Sequence, residues 1–497
     1  MYKRILFSLH KILGRLLSVL FLTWFLSGFV MIYHRFPWAH QIKIEKQQVI
    51  SGNLPDIENV VSSLPDTARI QWISLDMHFD RPTFYFDGMS VPPNFYADTF
   101  QPLEDINDAI IGKRVAQWCQ APVLRVDTLR KQDQWIPFGD MKKELPVYKY
   151  TFADNEKHEL YIASQSGNVL QYTDKNQRLW AWLGIIPHRL YFYQIRQNDL
   201  LWINFSKWIS GITCIMCLSG MILGLQLYWR NQRKGFASPY KKRWHYWHHV
   251  SGLIFGIFAI TFSFSGMMSV TNLPDWLIKK PKIQQETTQR ISHHEDDYFL
   301  SLADFALDYR KVVEATEGIK RIEWKKYQNL PYYRIVTNSK TIHIDASYSH
   351  GIRPFVLTED MVRKNLWQMN IDSANYALEL ITEWDDDYFA RKIGGAPLPV
   401  YRVIVDDELH TRLYYNPETL SHFQRDDNNR LRQFLFGGLH MLNFKFLTDR
   451  PVLWNIVMFT LLIGGSFLSL TGVVLSVKWL FRKLKKWYKF IKPRKAR

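Results

Sequence analysis

Cysteine is scarce. Three occur among 497 residues, Cys119, Cys214 and Cys217, so no disulfide framework holds this chain together. Cys214 and Cys217 form a C-x2-C inside an apolar run, where thiols acting as small hydrophobic groups are a simpler reading than a redox pair or metal site. Nucleotide motifs are missing too. No G-x-G-x-x-G opens a helix after a strand, which leaves a resident nicotinamide or flavin fold without support, and no P-loop, His-Glu-x-x-His or Ser-His-Asp order stands out. Acid is in deficit, with 46 Asp and Glu against 63 Lys and Arg, and the stretch from Lys478 to Arg497 carries ten basic residues and no acid. Ionisable residues are almost absent from the centres of four long apolar runs, with Lys207 the nearest exception. That argues against an iron or siderophore permease, which would place such groups along its path.

Apolar and aromatic residues are plentiful, at 47% and 15% of the chain, and a mean hydropathy of −0.21 means that membrane spans coexist with large polar domains. Four runs approach the roughly 20 apolar residues that a bilayer requires, at 12–34, 203–228, 247–271 and 453–478. The first is followed by His34-Arg35-Phe36-Pro37-Trp38 rather than a small-residue cleavage site, so it reads as an anchor that stays. Basic residues flank one end of every span: Lys3, Arg4, Lys11 and Arg15, then Arg230, Arg233, Lys234, Lys241, Lys242 and Arg243, then the tail. By the positive-inside rule these parts face the cytoplasm. Residues 1–34 then hold a cytoplasmic N-terminus and the first span, 35–202 a first external domain and 203–228 the second span. A basic cytoplasmic loop (229–246), the third span (247–271), a second external domain (272–452), the fourth span (453–478) and a basic tail (479–497) complete the chain. The positive charge lies against the bilayer, so a nucleic-acid role has no support.

The chain is duplicated. His10, Gly14, Ser27 and Gly28 recur as His248, Gly252, Ser265 and Gly266 at an offset of 238. His188, Trp202, Leu218, Ser219, Gly220 and Arg230 recur as His440, Trp454, Leu470, Thr471, Gly472 and Arg482 at an offset of 252. Between them Arg69-Ile70-Gln71-Trp72 matches Arg321-Ile322-Glu323-Trp324, and Pro146-Val147-Tyr148-Lys149 matches Pro399-Val400-Tyr401-Arg402. Each Pro-Val-Tyr leads into two alternating runs joined by a polar turn, a hairpin signal. Stretches 300–316 and 358–370 read as helices covering sheets. The expected fold is therefore two tandem span–ectodomain–span units, each ectodomain an α+β domain built from two small units.

Both units have the same orientation, so a pseudo-twofold axis should run along the membrane normal and bring equivalent residues face to face. His10 would meet His248 near the cytoplasmic face, and His188 would meet His440 near the outer face. Gly14 and Gly28 lie on nearly the same helical face as His10, as do Gly252 and Gly266 with His248. A flat macrocycle such as haem needs an axial nitrogen and a wall that it can approach closely, and His plus Gly supplies both. Two opposed imidazoles suit a six-coordinate b-type haem iron, with His10, His248, His188 and His440 as axial ligands to two haems. The plainer alternative is helix packing through small residues with histidines at the interface. His249 adjoins His248 about 100° around the helix and competes with it. His34, whose equivalent is Asn272, is open to four roles: outer ligand, haem-edge hydrogen-bond donor, substrate contact or interfacial residue. Arg35, Arg189 and Arg196 are candidates to hold propionates. Asp385-Asp386-Asp387, Glu295-Asp296-Asp297 and Asp406-Asp407-Glu408 could hold a hard cation or be solvated loops.

The tandem pattern resembles the PepSY-associated transmembrane proteins, also called iron-regulated membrane proteins, which include inner-membrane ferric-siderophore reductases of Gram-negative bacteria. His10-Lys11-Ile12-Leu13-Gly14 with Ser27-Gly28, Trp247-His248-His249-Val250-Ser251-Gly252 with Ser265-Gly266, Leu439-His440 and the Pro-Val-Tyr hairpins carry the resemblance. It implies a four-span protein of the bacterial inner membrane with two PepSY-like periplasmic domains and two haems b, passing electrons to ferric siderophores or other ferric chelates. With no nucleotide fold of its own, the chain would take electrons from a separate cytoplasmic reductase or a membrane quinol. A haem-free PepSY scaffold that binds a periplasmic partner is the competing function.

Overall fold

The structure, a computed structural model, describes residues 2–39, 46–91, 93–231, 238–280, 299–390 and 395–491. The acidic run Glu295-Asp296-Asp297, the basic residues Arg233 and Lys234 and the end of the basic tail lie outside the described residues.

Four helices are long and apolar enough to cross a membrane. The first span is Tyr2–Met31, the second Asp199–Asn231, the third Arg243–Ser269 and the fourth Pro451–Ile491. Each extends past the expected stretch at its basic end, whereas at the other end the first helix stops at Met31 and the third at Ser269, short of the expected 34 and 271. The extra turns are rich in Lys, Arg and aromatic side chains, which keep helical geometry while their polar ends reach toward water. In lipid a helix satisfies every backbone polar group internally, so these segments have no competing conformation. The first span packs on the second and fourth, and the third on the second and fourth, closing a four-helix bundle. Its core gathers Leu17, Phe21, Phe25, Ala259, Met458 and Leu462. Gly464 and Gly465 admit the rings of Phe255 and Phe25, and a Cβ at either would run into the ring. Small residues let helices approach where no water drives them together.

The segment between the first and second spans contributes strands β1 (Arg69–His78), β2 (Arg81–Met89), β3 (Phe95–Tyr96), β4 (Val123–Leu129), β5 (Val147–Phe152), β6 (Glu159–Ala163) and β7 (Val169–Thr173). The segment between the third and fourth spans contributes β8 (Ile319–Tyr327), β9 (Leu330–Thr337), β10 (Thr341–Asp345), β11 (Tyr376–Ile381), β12 (Val400–Val405), β13 (Arg412–Tyr415) and β14 (His422–Arg425). Both expected hairpins are present, as β5–β6 and β12–β13 within the four-stranded sheets β4-β5-β6-β7 and β11-β12-β13-β14. The leading units do not stay apart. They merge into one six-stranded sheet of order β10-β9-β8-β1-β2-β3. At its centre the duplicated strands pair antiparallel, from Ile73 opposite Trp324 to Asp76 opposite Arg321. Antiparallel pairing of equivalent strands is what a two-fold axis through the sheet demands, since exchanging the copies leaves the ladder unchanged. One face buries Ile73, Leu75, Phe84, Trp324 and Tyr333 beneath Tyr309 and Val312. The tandem units are thus tied together both in the bundle and in the sheet above it.

Between each four-stranded sheet and the following span lies a broken helical segment. In the first copy it runs through Lys175–Leu183, Ile185–Arg189 and Tyr193–Arg196. In the second it runs through Asp427–Arg432, the π-helical turn Gln433–Gly438 and Lys445–Thr448. Leu190 (φ 55°) and Leu442 (φ 52°) take left-handed conformations at equivalent positions and turn the chain back toward its span.

Candidate functional site

The bundle brings the four repeated histidines together in two pairs. His10 on the first span and His248 on the third have ring centroids 6.2 Å apart. His188 and His440, one on each broken segment, have centroids 5.9 Å apart. Two metal–imidazole bonds of about 2.0 Å in line put ring centres roughly 6 Å apart, so both separations suit one ion between two rings.

Hydrogen bonds set the tautomer in every ring. His10 Nδ1 lies 3.0 Å from the Met216 carbonyl, His188 Nδ1 3.1 Å from the Trp24 carbonyl and His440 Nδ1 3.3 Å from the Phe262 carbonyl. A carbonyl only accepts, so these Nδ1 atoms carry the proton. His188 and His440 also lie 3.1 and 3.0 Å from the Ser27 and Ser265 hydroxyls, which donate their own protons to the Trp24 and Phe262 carbonyls. His248 Nδ1 lies 2.9 Å from Thr471 Oγ1, whose proton goes to the Leu468 carbonyl. It too must donate. In all four rings Nε2 is left with its lone pair, and none has a hydrogen-bond partner among the described residues. A fixed Nδ1–H and a free Nε2 is how proteins orient an imidazole as a metal ligand.

A cavity of about 580 Å3 surrounds the His188–His440 pair, within the roughly 300–1,000 Å3 of small-molecule and cofactor sites. Trp24, Phe25, Phe262 and Leu462 supply its apolar wall, and Arg35 and Arg189 are the cations that line it. Gly28 and Gly266 lie against the two rings, where an added Cβ would stand 3.9 Å from His188 Cε1 and 3.8 Å from His440 Cε1. Trp202 and Trp454 pin the loops that carry these histidines, donating from Nε1 to the Arg189 and Met441 carbonyls at 2.8 and 3.2 Å. The donor set, the glycine walls and the cavity fit a bis-imidazole haem.

At the other pair the glycines in contact are Gly220 and Gly472. A Cβ on Gly220 would run into the His10 ring, and one on Gly472 would stand 3.6 Å from His248 Cε1. Gly14 has open space where its Cβ would be, and Gly252 meets only Leu468 at 3.7 Å. Both leave a bare backbone beside the pair without touching it.

Other sequence candidates fall elsewhere. His249 turns from the pair and holds Nε2 3.0 Å from the Gly224 carbonyl. His34 stacks on Trp180 with centroids 4.3 Å apart. Arg196 pairs with Asp199 and lies over Phe138 and Trp202. Cys214 and Cys217 are free thiols. In the two described acidic runs, Asp385, Asp387 and Asp407 are engaged within the fold. Asp385 accepts from Arg402 and the Tyr414 hydroxyl, Asp387 from Arg412 and Arg430, and Asp407 from the Thr411 amide. Among the described residues no group of three metal-ligating side chains forms. The first copy has the same device, Tyr161 donating to Asp133 and Glu159 beside Lys149, and burial with those two carboxylates pushes the Tyr161 phenol far up. Sequence reasoning missed the roles of Ser27, Ser265 and Thr471. All three stood in the repeat register, Ser27 with Ser265 and Thr471 with Ser219, and a hydroxyl repeated one residue before a repeated glycine was the available signal.

No curated protein matches the chain. A family model described as the PepSY-associated TM region matches residues 115–482, from the helix ahead of the first four-stranded sheet into the basic end of the fourth span. With four membrane spans, duplicated α+β domains and a match over most of its length, this multi-pass membrane protein belongs to the PepSY-associated transmembrane family.

Proposed function

We propose that the chain is a transmembrane electron carrier holding two haems b, which passes electrons from the cytoplasmic side of the bacterial inner membrane to ferric siderophores or other ferric chelates in the periplasm. The observation that carries this reading is the set of four histidines, paired at two depths, each with Nδ1–H donated and Nε2 free. His10 with His248, and His188 with His440, would hold the irons. Haem so ligated supplies a one-electron couple that exchanges no ligand.

The chain's own residues provide the rest. Ser27, Ser265 and Thr471 hold the ring orientation, the aromatic wall keeps water from the site, and Arg35 and Arg189 can neutralise carboxylates at the cavity edge. Basic flanks on one side of all four spans favour cytoplasmic termini and periplasmic sheets. The donor would be a separate cytoplasmic reductase or a membrane quinol, giving up one electron for each Fe3+ reduced to Fe2+.

The test is a dithionite-reduced minus air-oxidised spectrum of the purified protein with a pyridine haemochrome assay. Low-spin b-type bands and about two haems per chain are expected, lost in part in His248→Ala and in part in His440→Ala. A colourless protein from a haem-replete host would overturn the proposal and leave the haem-free scaffold as the better reading.

A further inference from the structure

The helix of the fourth span outruns its apolar stretch, continuing from the expected limit at 478 to Ile491. No Gly or Pro occurs between Gly472 and Pro493, so the usual causes of a sharp kink are missing. At 1.5 Å per residue the 41-residue helix is about 61 Å long, against roughly 40–45 Å for a bilayer with its headgroups. Fitting the apolar run 453–478, about 39 Å of helix, across a core of about 30 Å takes a tilt of roughly 40°. A helix that leaves the membrane at that slant turns one side down toward the headgroups.

The apolar surface shows which side. Ile456, Ile463, Leu470 and Val477 recur every seventh residue, two turns apart on one face, and all are exposed. They form the side of the span that meets acyl chains. The series runs on past the apolar stretch to Leu484, 48% exposed against 41% for Leu470 and Val477, and Phe481 and Tyr488 beside it are exposed too. Large apolar side chains in a continuous stripe are unfavourable in water. This stripe is continuous with the lipid-facing surface, so the same occupant covers both.

Charge specifies the lipid. Lys478, Arg482, Lys485 and Lys486 lie about 80–180° around the helix from Val477. Lys478 sits over the Trp244 ring at 5.6 Å, and Arg15 of the first span over the Trp479 ring at 3.9 Å. These contacts fix the root of the extension where tryptophan and basic side chains favour the interface. No Asp or Glu occurs in 1–44, 200–274 or 450–497, so the segments at this end of the bundle offer the cations no side-chain carboxylate. A helix with one apolar and one basic side binds an anionic membrane surface, burying the first and setting the second against phosphate.

We infer that residues 478–488 form an interfacial helix that binds anionic phospholipid of the adjoining leaflet, the cytoplasmic one by the positive-inside rule. The inference is independent of haem and of electron transfer.

Leu484→Cys, Tyr488→Cys and Lys486→Cys, each made in the full-length protein with Cys119, Cys214 and Cys217 changed to alanine, are labelled with bimane. They are reconstituted into vesicles of phosphatidylcholine alone or mixed with phosphatidylglycerol. In the mixed vesicles a spin-labelled lipid should quench positions 484 and 488 more than 486, and aqueous acrylamide should do the opposite. In phosphatidylcholine alone that contrast should be lost. Replacing Arg482, Lys485 and Lys486 together by Gln in the Leu484→Cys protein should lower its ratio of lipid to acrylamide quenching in the mixed vesicles, each charge counting for about fivefold in occupancy of the surface. Melting of the unlabelled protein is the second readout and needs no cysteine replacement: phosphatidylglycerol should raise the melting temperature, and the triple Gln variant should lose the rise. Equal acrylamide quenching at all three positions in the mixed vesicles would leave the stripe to a protein partner and overturn the inference. So would the same contrast in phosphatidylcholine alone, or a melting temperature that phosphatidylglycerol does not move.

Discussion

Gly220 and Gly472 are equivalent in the repeat but not in their surroundings, and alanine at each makes a sharp comparison. A Cβ at Gly220 would overlap the His10 ring, standing 2.8 Å from Nδ1 and 3.2 Å from Nε2, whereas one at Gly472 meets His248 at an ordinary 3.6 Å. His10 cannot move aside freely, since its Nδ1–H is held by the Met216 carbonyl. Overpacking costs about 1–3 kcal/mol, and losing that hydrogen bond adds roughly 1 kcal/mol. Gly220→Ala is therefore expected to displace His10 at a total cost of about 2–4 kcal/mol, while Gly472→Ala should cost less than about 1 kcal/mol. Melting of the detergent-solubilised protein reads the stability difference, and the haemochrome assay reads whether one of two haems is lost in Gly220→Ala alone. Equal behaviour of the two variants would refute the geometry assigned to the His10–His248 pair.

His249→Ala should keep both haems while His248→Ala loses one, because His249 points to the Gly224 carbonyl; haem counting distinguishes them. Ser265→Ala removes one acceptor from His440 Nδ1 and should leave the haem in place while shifting its midpoint potential, as read by redox titration. Arg402→Ala takes a cation from Asp385, which also receives the Tyr414 hydroxyl, and should destabilise the second four-stranded sheet by about 1–3 kcal/mol in thermal unfolding. His78 is held at about 4 by burial, with Arg114 and Lys113 adding repulsion. Its folded value lies below its unfolded one, so its contribution to stability is complete above pH 6.5 and falls away as pH drops toward 4. His78→Gln should flatten that part of the stability profile.

The four spans, the duplication and the pairing of His10 with His248 and His188 with His440 follow from the sequence alone. Long apolar runs have one solution in a bilayer, and a repeat in a single orientation has one symmetry, so equivalent histidines must face across its axis. The hairpins after Pro146 and Pro399 were legible for a similar reason, since alternation and a polar turn are local. Contacts across the copies were not. That β1 pairs with β8, that Gly220 rather than Gly14 touches a histidine ring, and that three hydroxyls free Nε2 all depend on how distant helices and strands pack. Only the tertiary structure showed the cavity around the His188–His440 pair, whose wall is drawn from both copies. Local sequence sets conformation and periodicity, whereas which surfaces touch, and which space stays open, is decided by packing between segments far apart in the chain.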